Sequence, residues 1–136
     1  MPPAVIGGLL VIHGLITSAI GFGAVTNPHA PAMAMPGFGW WPGPFGRSWA
    51  FDALHLGTPA ALLGGTIWLL AGLALIGGGL GWLGAPGLAE ARYLLLVGGS
   101  ALGLVALALY FHPVYLLAIG INVAIVLLLS GLVTTS

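Results

Sequence analysis

Among 136 residues, four carry a full charge at neutral pH: Arg47, Asp52, Glu90 and Arg92. A globule in water coats itself with charged side chains, which make up about a quarter of a soluble domain. Here the charged share is 3% and the hydrophobic share 60%, so the surroundings of this chain must be largely apolar. The formal net charge of zero gives no electrostatic basis for binding nucleic acid. It gives none for polybasic attraction to anionic headgroups either. Cysteine is absent, which excludes disulfides, thiolate metal sites and iron–sulfur ligation.

A helix crosses roughly 30 Å of hydrocarbon with about 20 apolar residues, each rising ~1.5 Å. Four stretches meet that requirement, at residues 4–25, 59–83, 88–109 and 114–133. Thr58-Pro59 supplies a capping hydroxyl and a proline suited to a first helical turn. Gly84-Ala85-Pro86 and His112-Pro113 mark tight connections between the later spans. The first stretch lacks a basic leader and is longer than a signal-peptide core, so it is expected to be a true span. The fold class expected is an all-α membrane protein. It is a four-transmembrane-helix bundle forming one domain, with a long loop at residues 26–58 between the first two helices.

That loop is rich in Pro and Gly and contains Phe38, Trp40, Trp41, Phe45, Trp49 and Phe51. So many aromatics argue against disorder. Trp favours the headgroup layer, where the ring is buried and its N–H stays wet. The loop is therefore expected to form an ordered cap at the interface, facing outward, with a short surface helix over residues 47–56.

Lipid is as apolar as leucine, so helices associate in it through close backbone approach at small residues. Gly7, Gly14 and Gly21 recur at heptad intervals with Ala4 and Ser18 on the same face. Ala61, Gly65, Gly72 and Gly79 line one face of the second span, and the third carries Gly99-x-x-x-Gly103. These faces predict either a tightly packed bundle or docking on a neighbour.

His13 and Asn122 fall at similar depth in the first and last spans. A polar group without a partner in hydrocarbon costs several kcal/mol, so both are expected to face protein and to hydrogen-bond. A structural pair that fixes helix register is one reading; a haem or quinone contact at His13 is the other. His29, Asp52, His55 and His112 share one membrane face by topology, with Asp52 and His55 three residues apart. Without tight motif spacing they are not read as a metal site. His55 and His112 stay, with His13 and Asn122, as candidate cofactor contacts. Glu90 and Arg92 open the third span, where a carboxylate suits the helix dipole and arginine reaches headgroups. The glycine run at residues 77–81 lacks the lysine and hydroxyl of a phosphate loop.

His13-Gly14-Leu15-Ile16 with Gly21-Phe22, the stretch Gly65-Thr66-Ile67-Trp68-Leu69-Leu70-Ala71-Gly72-Leu73, and Gly120-Ile121-Asn122-Val123 together resemble the DoxX-like group of small four-span bacterial membrane proteins. The resemblance covers the helices and not the aromatic loop. Members often carry a second histidine where this chain has Thr17, so a paired-histidine role is not implied. The group carries over no active site.

The function expected from the sequence is a small non-catalytic subunit. It would pack against other integral membrane subunits and lipids in a larger, energy-transducing (respiratory or photosynthetic) complex of a bacterial or archaeal cytoplasmic membrane. A quinone- or haem-linked redox protein is the alternative. A small oligomeric transporter ranks behind both, since no charge lies in mid-span.

Overall fold

Helix α1, Pro3–Thr26, begins with proline at its first position, where the missing N–H is no loss, and runs for 24 residues. The computed structural model describes residues 2–133. After α1 come a short helix α2 (Trp49–Ala53), the long α3 (Thr58–Trp82), α4 (Arg92–Leu109), a 3-10 turn (Pro113–Tyr115) and α5 (Leu116–Val133). Four of these helices are long and apolar enough to cross a membrane. The described residues form an all-α four-helix bundle of the multi-pass membrane type.

The bundle is organised by glycine. A methyl group built on Gly14 would lie 2.7 Å from the backbone nitrogen of Ile76 and 2.8 Å from the carbonyl oxygen of Gly72. On Gly21 it would lie 2.8 Å from the Gly65 oxygen, and on Gly7 it would lie 3.2 Å from the Gly79 oxygen. The two heptad rows therefore meet antiparallel, Gly7 on Gly79, Gly14 on Gly72 and Gly21 on Gly65. Each helix lays its backbone in the other's groove, so the contact of α1 with α3 is the most extensive in the molecule. Next comes α3 on α4, where Gly99 admits Ala74 and Gly78 admits Leu96. After it comes α4 on α5, where Gly103 lies against the amide of Asn122. Leu10, Leu75, Leu96 and Ile125, one from each spanning helix, close the core towards one membrane face. Trp68, Ala106, Leu107, Tyr110 and Tyr115 close it towards the other, beneath the loop. Helices α1 and α5 share no extensive contact, and a groove lies between them.

Three boundaries differ from expectation. The third span starts at Arg92 rather than at residue 88, because residues 83–91 fold as consecutive turns. Gly84 and Gly87 hold left-handed φ angles of 86° and 77°, and the Ala85 amide donates back to Leu80. Glu90 therefore precedes the helix instead of sitting in its first turn, and Arg92 donates to the Ala89 carbonyl at 2.8 Å and lies over the Tyr93 ring. The cap of α3 is Gly57 and not Thr58, whose hydroxyl instead meets Nε2 of His29 at 3.2 Å. The surface helix is five residues long, not ten, because His55 turns to a φ of 53° just after it.

The glycine contacts set the first prediction. Gly14→Leu should destabilise the bundle by at least about 1–3 kcal/mol, since α3 backbone cannot yield to it. Gly8→Leu, one residue from the Gly7 contact but with nothing within 4 Å of its added carbon, should change little. Thermal unfolding of both variants in the same detergent would check this; equal melting temperatures would contradict the interlock.

Candidate functional site

The loop reaches the bundle through the end of α4. The last carbonyls of any helix lack intrahelical donors and need others. Here Ser48 Oγ donates to the Leu109 oxygen and Trp49 Nε1 to the Ala108 oxygen, both at 2.7 Å. Ser48 also caps α2, accepting from the Phe51 amide at 3.2 Å. One hydroxyl thus joins the start of the surface helix to the end of a spanning one. His112 is 2% exposed and caps the 3-10 turn, its Nδ1 accepting from the Val114 amide. Phe38, Phe45 and Tyr115 surround its ring edge-on, with centroids 5.4, 5.3 and 6.5 Å away. Its surroundings are those of a structural keystone under the cap.

The other members of the shared polar face do not converge. His29 pairs with Thr58, Asp52 with Arg47, and His55 is exposed. Both partners of the Arg47–Asp52 pair are over 40% exposed, which limits it to about 1 kcal/mol or less. Among the described residues no three histidine or carboxylate side chains gather as metal ligands would. Between the loop and the ends of α1, α3 and α4 lies a recess of about 190 Å³ reached by His29, Arg47, Asp52 and Tyr110. Burial, with a smaller contribution from the Asp52 charge, pushes the Tyr110 hydroxyl above the usual phenol range, so it stays neutral.

The second cavity lies within the membrane-spanning layer. It is a groove of about 550 Å³ between α1 and α5, walled by Ile6, Ile16, Ile20, Leu117 and Ile121. Trp68 of α3 and Tyr115 form part of its lining, and His13 is the imidazole on its α1 side. His13 comes ten residues after Pro3, so it stands roughly 15 Å into α1, near the bilayer centre, while Trp68 lies nearer the loop, its Cβ against Gly21.

His13 and Asn122 face one another from α1 and α5, as similar depth suggested. Asn122 is 2% exposed and its Nδ2 donates to the Ala118 carbonyl at 2.9 Å. The expectation that His13 would be equally satisfied is not met. Nε2 of His13 and Oδ1 of Asn122 are both buried, and neither has a hydrogen-bond partner among the described residues. Thr17 cannot help, because its hydroxyl donates back to the His13 carbonyl at 2.8 Å. The indole nitrogen of Trp68, a residue only 2% exposed, is likewise buried without an acceptor.

The sequence reading singled out His13, Asn122, His55 and His112. The structure brings the first two together at the groove and separates the other two from it. It adds Trp68 and Tyr115, and Ser48 in the cap. Trp68 carried a signal: tryptophan belongs at interfaces, so one in mid-span asks for a reason. Haem gripped from two helices calls for two inward imidazoles, and His13 is the single histidine within the spans.

Ser48→Ala should cost about 1 kcal/mol locally. Amide exchange across residues 49–54 should then quicken several-fold while that of α1 and α3 is unchanged; unchanged exchange in the loop would remove the proposed link to α4. Compared with known protein families, characterised proteins and solved structures, the chain matches none.

Proposed function

We propose that the protein is a non-catalytic integral membrane subunit that docks through α5 onto other integral membrane subunits of a larger complex. The energy-transducing kind expected from the sequence is the complex to look for. The observation that carries the reading is the one-sidedness of α5. Only 17% of its apolar stretch is buried in this chain, against 28–33% for the other three spans. Its one extensive helix neighbour is α4.

Lipid would accept an outward face of leucine alone. The exposed face of α5 instead includes Gly120 and Ala124, one turn apart, flanked by Leu117, Leu127 and Leu128, each over 70% exposed. Glycine costs a helix about 1 kcal/mol relative to alanine. A Gly-x-x-x-Ala step pointing outward is compensated when another helix packs into it. Among the described residues, nothing beyond its own stretch of helix lies within 4 Å of a carbon added at Gly120. The small-residue faces of α1 and α3, by contrast, are already used inside the bundle.

The test is purification from native membranes in mild detergent, with mass spectrometry of the assembly. Companion integral membrane subunits should accompany the native chain and be lost from a Gly120→Leu/Ala124→Leu variant that keeps its own melting temperature. A native chain that runs alone as a monomer, or a variant that keeps its companions, would overturn the reading.

A further inference from the structure

Arg47 and Asp52 meet at the recess beneath the cap, whose lining includes no residue of α5. The recess also holds Tyr110, a residue only 5% exposed. The Tyr110 hydroxyl is pressed against Gly64, where an added carbon would collide with it, so the start of α3 fixes the phenol in place. That hydroxyl makes no hydrogen bond among the described residues, yet it is not one of the polar atoms sealed from the surface. Tyr110 lines this recess, and the Asp52 charge acts on its hydroxyl there. A neutral phenol so placed is a donor without an acceptor.

Opposite charges stand around it twice over. Arg47 and Asp52 form the first pair. The second comes from two antiparallel helices: α3 begins at Gly57 and Thr58 with no capping side chain, α1 ends at Asn27, and all three residues line the recess. A helix start carries roughly half a positive charge and a helix end half a negative one. A simple anion would gain from Arg47 and α3 but meet Asp52 and the α1 carbonyls. A simple cation would meet the reverse. A ligand with both charges a few bonds apart satisfies both sides. Each partner of the Arg47–Asp52 pair is over 40% exposed, so parting them costs little. Donors from the loop, from α3 and from the end of α4 suit the several oxygens of a phosphate better than the two of a carboxylate. From these observations we infer that the recess binds a phosphoethanolamine group, its phosphate taking donors from Arg47, Tyr110 and the start of α3, and its ammonium turning to Asp52 and the end of α1. A primary ammonium is preferred to a trimethylated one, because those acceptors need N–H groups. A phospholipid headgroup and a soluble ester present the same chemistry.

The experiment uses the full chain in mild detergent, with native mass spectrometry after addition of equal amounts of dioleoyl phosphatidylethanolamine, phosphatidylcholine and phosphatidylglycerol. The choline lipid keeps both charges without the N–H, and the glycerol lipid keeps the phosphate without the cation. The ethanolamine lipid should be retained about fivefold over each, the worth of one partly exposed charged contact. A parallel arm replaces the lipids by their deacylated glycerol esters. Selectivity for ethanolamine in that arm alone marks a site filled from water, and selectivity among the lipids alone marks one filled from the bilayer. An Arg47→Asp/Asp52→Arg exchange keeps a surface ion pair but opposes its direction to that of the helix ends. It should abolish the selectivity and leave the melting temperature unchanged. Tyr110→Phe, which keeps the ring, should also weaken retention of the ethanolamine group. No ethanolamine selectivity in either arm, selectivity that survives the charge exchange, or full retention by Tyr110→Phe would each overturn the inference. Since α5 takes no part in the recess, failure of its docking would leave every one of these outcomes unchanged.

Discussion

Everything in this molecule rests on the antiparallel contact between the glycine rows of α1 and α3. In hydrocarbon there is no gain from hiding leucine from lipid, so dispersion between closely packed backbones must hold the helices together. That gain falls steeply with separation, and a single methyl group at Gly14 or Gly21 would push the helices apart. With α1 and α3 fixed, α4 is positioned by Gly78 and Gly99, and α5 follows from α4 through Gly103. The chain of extensive contacts then stops, because α5 shares none with α1.

That open edge gives the protein both of its unspent features. One is the outward face of α5, with its small residues and bare leucines. The other is the groove between the first and last helices. A closed bundle would have covered the side of His13 that lines the groove. The open one leaves an imidazole at the bilayer centre lining an apolar space.

The cap solves a different problem. The ends of α4 and of the 3-10 turn leave backbone carbonyls and amides at the membrane boundary, where satisfaction by water is incomplete. Ser48 and Trp49 satisfy the end of α4 from a loop that has almost no regular structure of its own, and His112 caps the 3-10 turn from the connection itself. The rings of Phe38, Phe45 and Trp41 then pack on His112 and Phe111 and hold the loop down. The loop is ordered by its aromatic and hydrogen-bonded anchorage rather than by helix or sheet.

Sequence alone determined the four spans, the helical class and the glycine faces, because each follows from local rules: the length of apolar runs, the scarcity of charge and a seven-residue spacing. It also placed His13 and Asn122 at matching depth. It misjudged the start of the third span and the length of the surface helix, where Gly84, Gly87 and His55 adopt left-handed φ angles that spacing does not announce. Tertiary structure alone decided which glycine row meets which, since several pairings satisfy the same periodicity. It decided that α5 makes no extensive contact with α1 and that a groove lies between them. It also decided that His112 serves packing while His13 meets open space. Those outcomes depend on the order in which helices claim each other's faces, a property of the whole assembly of contacts that no single segment contains.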